Sequence, residues 1–473
     1  MDQFDLIVVG SGAGMHIVSS AVEHGLEVAL VDKGPMGGTC LNSGCIPSKI
    51  LIYPADVVRT LQDARAVGIE GVIIKADFAG IMERMRSAVS RSREDMIDAV
   101  RSNDNVVWYK GTGEFVGDRS IKIEENTISA SKILIASGAR AFIPPIPGLA
   151  EAGYLDNVSV MSLKELPKSI AILGAGYIGC EFGHFFSAMG AEVTVIGRSP
   201  DVLDREDPEI SQIANRAFSK YMKIHTSHEV VRVDTEGKKK VVTAINHIDG
   251  KTYSFAADEI VVAAGRRSNS NLLKPEMTGV ETDDKGWIKV NEYLETSKPG
   301  IWALGDATGR HMFRHTANYE ASVVARNMFD DVKEKADFHA VPHAVFTYPQ
   351  VAAVGLTENE AIEAGYKVLV GRARYTEVAK GFAMAEEDGF AKVIIEDGTG
   401  TILGCSVIGS EAATLVQQMV YIMNAEEGDF APLVRSQVIH PTISEVIIRA
   451  FSRLEHPLDS GPKRDEPKEA SGK

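Results

Sequence analysis

Short runs of consecutive apolar residues alternate with helical patterns through the first two thirds of the chain. Residues 4–9 and 26–31 are such runs, and they are typical of strands buried on both faces of a parallel sheet. A glycine-rich turn and a helical stretch ending near residue 24 lie between them. This order predicts an α/β fold with a Rossmann-like dinucleotide-binding unit.

The same order occurs a second time, with a strand near residue 170, a helix to about residue 189 and a strand over 192–196. Glycines in such turns let backbone N–H groups approach a pyrophosphate at the start of the helix. The acid that ends the second strand of the first copy, Asp32, can accept hydrogen bonds from a ribose. Two units in one chain predict two different nucleotides that exchange electrons. The glycines concerned are Gly10, Gly12 and Gly14 in the first copy and Gly174, Gly176 and Gly179 in the second.

One position of the first turn departs from the pattern. The third position of the fingerprint is usually small, so that the helix and strand can pack closely, but here it is Met15. We expect Gly14, one residue earlier, to relieve the crowding.

A long helix is predicted over residues 78–100, where apolar residues follow helical spacing. Its arginines could attract an anionic substrate, but interspersed acids favour a solvated face. They are Arg84, Arg86, Arg91, Arg93 and Arg101.

Changes of pattern divide the chain into five segments. The proline-rich stretch 143–148 is typical of a linker, and from about residue 336 the pattern becomes one of antiparallel strands and helices. We predict an FAD-binding domain over 1–147, an NAD(P)-binding domain over 148–266, a central domain over 267–335, an α+β dimerisation domain over 336–455 and a disordered polar tail over 456–473.

Composition narrows the class of protein. A net charge of −15 argues against a nucleic-acid partner. No apolar stretch reaches the length needed to span a membrane, and the acidic start of the chain does not resemble a signal peptide. We therefore expect a cytoplasmic protein without a membrane or nucleic-acid partner.

Four cysteines are far too few for a disulfide-stapled protein of 473 residues. Cys40 and Cys45 have four residues between them, beside glycines and after the first glycine-rich turn, and this spacing permits a small-loop disulfide. They predict a flavin-linked dithiol/disulfide enzyme. Cys180 and Cys405 lie in apolar surroundings and are expected to be inert core thiols, and we expect no metal site.

Four separated motifs resemble the class I pyridine nucleotide–disulfide oxidoreductases over nearly the whole chain. This family includes dihydrolipoamide dehydrogenase, glutathione and mycothione reductases, and mercuric reductase. The motifs are Gly37-Gly-Thr-Cys-Leu-Asn-Ser-Gly-Cys-Ile-Pro-Ser-Lys49, Gly174-Ala-Gly-Tyr-Ile-Gly-Cys-Glu181, Ala303-Leu-Gly-Asp306 and His440-Pro-Thr-Ile-Ser-Glu445.

The resemblance implies FAD and a role for each matching residue. Cys45 would exchange electrons with the flavin, and Cys40 would be the interchange thiol that meets the substrate. Lys49 would lie near the reactive flavin nitrogen, paired with Glu181. Tyr177 would cover the nicotinamide pocket, Asp306 would bind the ribityl chain and Asp32 the adenosine ribose. Further cofactor positions are Lys33, Gly38, Thr39, Ser137, Gly138, Gly265, Ala307 and His315. From the residues alone, Asp306 could also be a helix cap.

A dithiol enzyme also needs a proton acceptor, and His440 is the best placed of the 12 histidines. Glu445 lies five residues later, near enough to orient an imidazole. In the family this dyad comes from the partner subunit, so the resemblance implies a homodimer with shared active sites. Pro47 suits a first helical turn, which would place the Cys45 sulfur near a helix N-terminus.

The position that selects the nicotinamide nucleotide is Gly197, followed by Arg198 and, further on, Arg205. Absence of an acid there, with an arginine beside it, favours NADPH, although NAD stays possible. The C-terminal half resembles both dihydrolipoamide dehydrogenase and mycothione reductase. The cysteine motif favours the dihydrolipoamide dehydrogenase type, which is the type that we predict. Arg198 favours the alternative, an NADPH-dependent reductase of a small disulfide, and a mercuric reductase would need a C-terminal cysteine pair that the sequence lacks. A non-catalytic flavoprotein with the same fold is disfavoured by the intact cysteine and histidine motifs.

Overall fold

The computed structural model describes residues 2–71, 75–425 and 428–457. Within them the chain forms two compact units. The first comprises residues 1–204 and 218–338, and the second comprises 205–217 and 339–473. The predicted tail falls, from residue 458 onward, outside the described residues.

The strands and helices are numbered in chain order. The strands are β1 (Asp2–Val9), β2 (Val28–Asp32), β3 (Val106–Lys110), β4 (Glu114–Gly117), β5 (Ser120–Ile123), β6 (Asn126–Ile135), β7 (Ala139–Ala141), β8 (Ser169–Leu173), β9 (Glu192–Ile196), β10 (Lys223–His225), β11 (His228–Glu236), β12 (Lys239–Asn246), β13 (Thr252–Ala257), β14 (Glu259–Val262), β15 (Arg266–Ser268), β16 (Ile301–Ala303), β17 (Pro342–Val345), β18 (Gln350–Gly355), β19 (Val368–Arg374), β20 (Phe390–Glu396) and β21 (Ile402–Gly409). The helices are α1 (Gly14–Glu23), α2 (Gly38–Asn42), α3 (Cys45–Asp63), α4 (Phe78–Arg101), α5 (Leu149–Ala152), α6 (Tyr177–Met189), α7 (Pro208–Phe218), α8 (Arg314–Phe329), α9 (Glu358–Glu363), α10 (Ala379–Ala383), α11 (Ala412–Met423), α12 (Ala431–Arg435) and α13 (Glu445–Phe451).

The largest sheet of the first unit has the order β3-β2-β1-β6-β5-β4, with β16 pairing to β6. β1 runs parallel to both β2 and β6. Leu6 and Val8 of β1 pack with Ile17 of α1, while Ile7 and Val9 belong to the core on the other face of the sheet. Both faces of β1 are thus buried, which explains the continuous apolar run in the sequence.

A second parallel sheet of the same unit has the order β10-β9-β8-β14. β9 and α6 have the bounds that the sequence predicts. An antiparallel sheet, β11-β12-β13, accompanies it. The two parallel sheets confirm the predicted α/β class with two Rossmann-like units.

The second unit is built on a five-stranded antiparallel sheet with the order β17-β18-β21-β20-β19. Its core includes Val393, Val407 and Leu415, and the helices α11 and α13 contribute to it. This arrangement matches the α+β pattern predicted from about residue 336.

A buried lysine anchors the segment 205–217 within the second unit. Lys392 of β20 is 2% exposed and lies 2.8 Å from Asp207, 2.7 Å from Glu209 and 2.7 Å from Glu358. Arg372 of β19 bridges Glu209 and Glu358 at 2.9 and 2.8 Å. Three carboxylates offset the two cations, so the buried charges are paired.

No helix among residues 2–71, 75–425 and 428–457 is long and apolar enough to cross a membrane.

Candidate active site

The first glycine-rich turn brings three backbone segments into close approach. Gly10 has φ +108°, and a Cβ added there would lie 2.2 Å from the carbonyl oxygen of Ala136. A Cβ on Gly38 would lie 2.9 Å from the Cα of Gly12. No glycine side chain covers the starts of α1 and α2, so their backbone N–H groups stay accessible. A phosphate-binding turn requires such accessible N–H groups.

Gly14, rather than the residue at the Met15 position, makes the close contact between α1 and β1. A Cβ on Gly14 would lie 2.8 Å from Cγ1 of Val8, whereas the Met15 side chain packs against the edge of the core. The expectation that Gly14 relieves the crowding therefore agrees with the structure.

Asp32 at the end of β2 fixes the local backbone. Its Oδ2 accepts a hydrogen bond from the Ser11 N–H at 2.6 Å, and its Oδ1 accepts one from the Gly34 N–H at 2.6 Å. Each carboxylate oxygen has two lone pairs, so the group can still accept from ribose hydroxyls.

The two cysteines begin or precede helix α3. Cys45 is the first residue of α3, Cys40 lies in α2, and both are free thiols. Interaction with the Cys45 thiol, and with the N–H groups of Cys45 and Ile46, lowers the pKa of the Cys40 thiol. The start of α3 thus acts on Cys40, not only on Cys45 as the sequence suggested.

These contacts give the two thiols different acidities. The hydrogen bond from Cys45, opposed by burial and helped by the nearby Arg314 cation, lowers the pKa of Cys40 to about 7. The same hydrogen bond to Cys40, together with burial, raises the pKa of Cys45. In the dithiol state Cys40 is therefore the better nucleophile near neutral pH.

Lys49 and Glu181 form an ion pair, which agrees with the pairing that the resemblance implied. Lys49 Nζ lies 2.8 Å from both carboxylate oxygens of Glu181. The Glu181 side chain is 9% exposed and that of Lys49 is 35% exposed. The pair joins α3, which carries Cys45, to α6 of the second nucleotide-binding unit.

The second glycine-rich turn repeats the backbone geometry of the first. Gly174 has φ +119°, and a Cβ there would lie 2.3 Å from the carbonyl oxygen of Ala263. A Cβ on Gly179 would lie 2.0 Å from the carbonyl oxygen of Gly174. A Cβ added to Gly176, by contrast, would meet no heavy atom of the described residues within 4 Å, so this side of the turn is open.

Gly197 follows β9 at the position equivalent to Asp32. A Cβ there would lie 2.6 Å from the Cβ of Ala175, so a larger residue would not fit without movement. Arg198 is exposed and makes no ion pair within the described ranges. The edge of this site therefore presents a cation where the first site presents a carboxylate.

Aromatic side chains flank the start of α6. Tyr177, its first residue, is 37% exposed, and its ring centroid lies 6.3 Å from that of Phe313. Phe313 stacks on His315 at 5.4 Å with an interplanar angle of 6°. The Tyr177 ring is tilted by 48° to that of Phe313, so the three side chains form an aromatic cluster whose ring faces a nicotinamide or flavin ring could stack against.

Asp306 is not a helix cap, because α8 begins at Arg314 with Phe313 before it. Its carboxylate instead pairs with Arg266 at 3.1 Å. Burial raises the pKa of Asp306, and the Arg266 guanidinium opposes that shift. The polyol-binding interpretation of Asp306 is therefore favoured over the capping one.

Glu320 on α8 lies directly behind Asp306. It is fully buried, and its Oε2 accepts a hydrogen bond from the Gly305 N–H at 2.5 Å. Burial raises the pKa of Glu320 to about 7, while the Gly305 hydrogen bond and Arg310 oppose the shift. Sequence reasoning missed Glu320, although an acid among Ala317, Ala321 and Val324 was a possible signal.

Several buried polar atoms around Asp306 lack hydrogen-bond partners among the described residues. They are Nε of Arg266, Oγ1 of Thr316, Oε1 of Glu320 and, beyond β6, Oγ of Ser137. A cofactor with hydroxyl, carbonyl and ring-nitrogen groups would satisfy them. With the glycine turns and Asp32, these residues fit FAD.

The remaining predicted cofactor positions lie in loops and helix ends of the first unit. Gly138 accepts a backbone hydrogen bond from Asn269, and Ala307 is fully buried. Gly265 has φ +116°. Thr39 lies in α2, and Lys33 is exposed.

His440 and Glu445 form a pair in the second unit. His440 Nδ1 lies 2.8 Å from Glu445 Oε1, and the Thr442 N–H donates to Glu445 Oε2 at 3.1 Å. The His440 hydrogen bond lowers the pKa of Glu445. With Nδ1–H donating to the carboxylate, the Nε2 of this exposed histidine is left as a proton acceptor.

The arginines of α4 largely form the expected solvated face, since Arg84, Arg91 and Arg101 are exposed, but three of the five also make tertiary hydrogen bonds. Arg84 donates to the Ile50 carbonyl at 3.2 Å and Arg86 to the Leu163 carbonyl at 3.1 Å. Arg93 donates to Asn42 at 3.3 Å. These contacts tie α4 to neighbouring segments, which the charge pattern alone did not reveal.

Both remaining cysteines are buried, as predicted. Cys180 and Cys405 have no exposed surface. Burial raises the pKa of Cys180, and it raises the pKa of Cys405 to about 12. Such thiols are inert near neutral pH.

Comparison with known proteins assigns the family. Residues 4–321 match the pyridine nucleotide-disulphide oxidoreductase family, and residues 341–451 match the dimerisation domain of the same family. The chain belongs to the pyridine nucleotide-disulphide oxidoreductase family, which uses FAD and a pyridine nucleotide, and it carries the family's dimerisation domain.

Relatives with different substrates are similarly close. The mycothione reductase of Mycobacterium tuberculosis is 35% identical over 469 residues, covering 96% of this chain and all of that protein. The dihydrolipoyl dehydrogenase of Chlamydia trachomatis is 33% identical, covering 98% and 99%. The flavoprotein disulfide reductase RclA of Escherichia coli has a TM-score of 0.85 at 27% identity, covering 96% and 99%. These similarities leave the substrate open.

Proposed function

We propose that this protein passes electrons between NADPH and a small disulfide through Cys40 and Cys45. Two free thiols carry the proposal, Cys40 in α2 and Cys45 as the first residue of α3. The Cys45 thiol is the main cause that lowers the pKa of Cys40 to about 7. The balanced reaction consumes NADPH, a proton and one disulfide, and yields NADP and two thiols.

The chain's own residues account for the thiol steps. Bound FAD would supply the path by which the electron pair of the nucleotide reaches the Cys40–Cys45 disulfide. His440 then takes the proton of the Cys40 thiol, and the Cys40 thiolate attacks one sulfur of the substrate. The departing thiolate takes that proton back from His440. Cys45 attacks the resulting mixed disulfide, which releases the second thiol and restores the Cys40–Cys45 disulfide.

The dyad of His440 and Glu445 would come from a second copy of the chain. This assignment follows the family pattern and the presence of the dimerisation domain. The proposed enzyme is therefore a homodimer with two shared active sites.

The site at Gly197 favours the reductase direction. Gly197 supplies no carboxylate to bind the ribose of NAD, and Ala175 leaves little room there for a larger side chain. The exposed Arg198 beside it is a cation that can pair with a 2′-phosphate. The second candidate is the dihydrolipoamide dehydrogenase type, running from dithiol to NAD. The cysteine motif favours it, whereas the C-terminal half of the sequence resembles both dihydrolipoamide dehydrogenase and mycothione reductase.

One set of measurements tests the proposal. Anaerobic reduction with NADPH should produce a long-wavelength thiolate–flavin charge-transfer band, followed by turnover with one of a panel that includes lipoamide, glutathione disulfide and mycothione disulfide. Slow bleaching without that band would contradict a catalytic role. Preference for NAD as the acceptor, with dihydrolipoamide as the donor, would select the second candidate.

His440→Gln gives a sharper test of the thiol steps. The glutamine cannot accept the proton, so we expect turnover with the disulfide to fall at least 100-fold, on the scale of general acid–base catalysis. Flavin content and reduction by NADPH should stay unchanged. Turnover at the wild-type rate in this variant would contradict the assignment of His440 as the proton acceptor.

A further inference from the structure

Helices α3 and α6 are joined by two polar contacts besides the Lys49–Glu181 ion pair. Asp56 Oδ1 lies 2.9 Å from His184 Nε2. Arg59 donates to the Ser187 hydroxyl at 2.6 Å. All three contacts link the helix that carries Cys45 with the helix that carries Glu181.

The spacing of these contacts fixes the relative position of the helices. On α3 they span Lys49 to Arg59, about 15 Å, whereas on α6 they span Glu181 to Ser187, about 9 Å, at 1.5 Å rise per residue. A single ion pair would leave α6 free to turn about one point. Three contacts at unequal spacing determine both the rotation and the sliding of one helix against the other.

The histidine of the middle contact is buried, while the Asp56 side chain is 29% exposed. The His184 side chain has no exposed surface, and Arg59 beside it is 7% exposed, with its guanidinium 4.2 Å from the ring centroid of Tyr221. Burial lowers the pKa of His184, although the Asp56 carboxylate opposes the shift. The imidazole is therefore neutral at pH 7, with Nε2–H donating to Asp56, because a carboxylate can only accept.

We propose that Asp56 and His184 are positioning residues that hold the Lys49–Glu181 ion pair, and with it the start of α3, in the geometry for electron transfer. The inference rests on the proposed function for its catalytic consequence. Its structural basis is the geometry of the three contacts. Neither residue belongs to the four sequence motifs that resemble the family.

The spectroscopic test compares His184→Phe, which removes the donor, with His184→Gln, whose amide N–H can replace Nε2–H. In the flavin-loaded enzyme, His184→Phe should slow flavin reduction by NADPH at least fivefold and weaken the charge-transfer band. His184→Gln should restore both to within twofold of wild type. If His184→Phe matches wild type in both measurements, the proposal is wrong.

A control separates positioning from general loss of stability. Thr357 caps α9 in the second unit, where its side chain accepts the Glu360 N–H. Thr357→Ala should lower the Tm while leaving the charge-transfer band and the reduction rate unchanged. Weakening of the band by this variant to the same degree as by His184→Phe would overturn the inference.

A double-mutant cycle tests the coupling without turnover. If His184 holds the ion pair, the loss of Tm in the Glu181→Gln, His184→Phe double variant should be smaller than the sum of the two single losses. Additive losses would overturn the inference. Should His184→Phe fail to fold, Asp56→Ala serves in the same cycle. An enzyme that NADPH does not reduce would refute the proposed function, and the cycle would still decide whether the residues are coupled.

Discussion

The two glycine-rich turns share a backbone but differ in the charge they present. Gly10 and Gly174 have φ +108° and +119°, and each lies against a carbonyl oxygen of a neighbouring strand end. After the next strand, however, the first turn meets Asp32, whereas the second meets Gly197 and Arg198. The shared geometry can bind a pyrophosphate in either unit, so the residue after the second strand distinguishes one nucleotide from the other.

The turns also differ in how the helix approaches the strand. In the second glycine-rich turn, Gly179 at the usual third position lies against the backbone of Gly174. In the first glycine-rich turn, Gly14 lies against a side chain of β1 instead, and Met15 occupies the usual position. The same packing requirement is thus met by two different residues.

The largest effects are expected from Gly10→Ala and Gly174→Ala. Each substitution forces a positive φ on alanine and places its Cβ within 2.3 Å of a carbonyl oxygen, so we expect a loss of roughly 3 kcal/mol or more in the free energy of unfolding. Gly10→Ala should also lose its flavin, whereas Gly174→Ala should keep flavin and lose reduction by NADPH. Urea unfolding and flavin absorbance measure these effects.

Gly176→Ala is the matched control for that pair. No heavy atom of the described residues lies within 4 Å of the added Cβ, so the free energy of unfolding should change by less than about 1 kcal/mol. A large loss of stability in Gly176→Ala would contradict the open geometry of the second turn. Wild-type flavin content in Gly10→Ala would contradict the close approach described for the first turn.

Glu320 makes the free energy of unfolding depend on pH. Its pKa of about 7 in the folded protein is raised by burial above the ordinary 4.5, so the folded state keeps a proton that the unfolded chain releases. The resulting stability is complete below about pH 4.5 and is lost as the pH rises to about 7. Glu320→Gln should therefore raise the free energy of unfolding at pH 8 by up to roughly 3 kcal/mol.

Urea unfolding of wild type and Glu320→Gln at pH 5 and pH 8 measures this effect. The exposed Glu125→Gln is the control and should leave the pH dependence as it is. Equal pH dependence in wild type and Glu320→Gln would show that the buried carboxyl has an ordinary pKa.

Gly14→Ala and Met15→Ala test which residue lets α1 approach β1. The Gly14 substitution places a Cβ 2.8 Å from Val8 Cγ1 and should cost about 1–3 kcal/mol in the free energy of unfolding. Met15→Ala removes a half-buried side chain and should cost less than Gly14→Ala. Urea unfolding measures both losses. A larger loss for Met15→Ala than for Gly14→Ala would show that Met15 makes the more important packing contact.

Arg198→Ala should change selectivity without changing stability. The side chain is exposed, so the free energy of unfolding should stay within about 0.5 kcal/mol of wild type. We expect kcat/KM for NADPH to fall about tenfold, or about 1.4 kcal/mol, while that for NADH is unchanged. Lys238→Ala, an exposed cation elsewhere in the unit, is the control. An equal fall in kcat/KM for NADPH and NADH would show that Arg198 does not recognise a 2′-phosphate.

Local patterns were sufficient to predict the elements and the motif residues. β9 and α6 have their predicted bounds because continuous apolar runs and glycine turns are local signals. The Lys49–Glu181 pair was anticipated only through the resemblance to the family, whereas the His440–Glu445 pair was also expected from the spacing of five residues. In all these cases the residue types needed lie within short, recognisable segments.

Contacts between distant segments were not predictable from the sequence. His184 and Glu320 are polar residues on buried helix faces, and their partners Asp56 and Gly305 are identified only once the helices are packed. The anchoring of Arg84 and Arg86 on backbone carbonyls likewise depends on tertiary contacts, which charge patterns do not encode.

The buried Lys392 limits how this protein can be divided. A fragment that starts at His339 would keep Lys392 and Glu358 but would lack Asp207 and Glu209, which belong to the second unit although they lie in the middle of the chain. The ammonium would then lie in the interior with part of its negative charge removed, a strongly destabilising change. Gene fragments cut at the apparent domain boundary should therefore yield an insoluble C-terminal piece, and exchange of this domain between relatives should succeed only when residues 205–217 are exchanged with it.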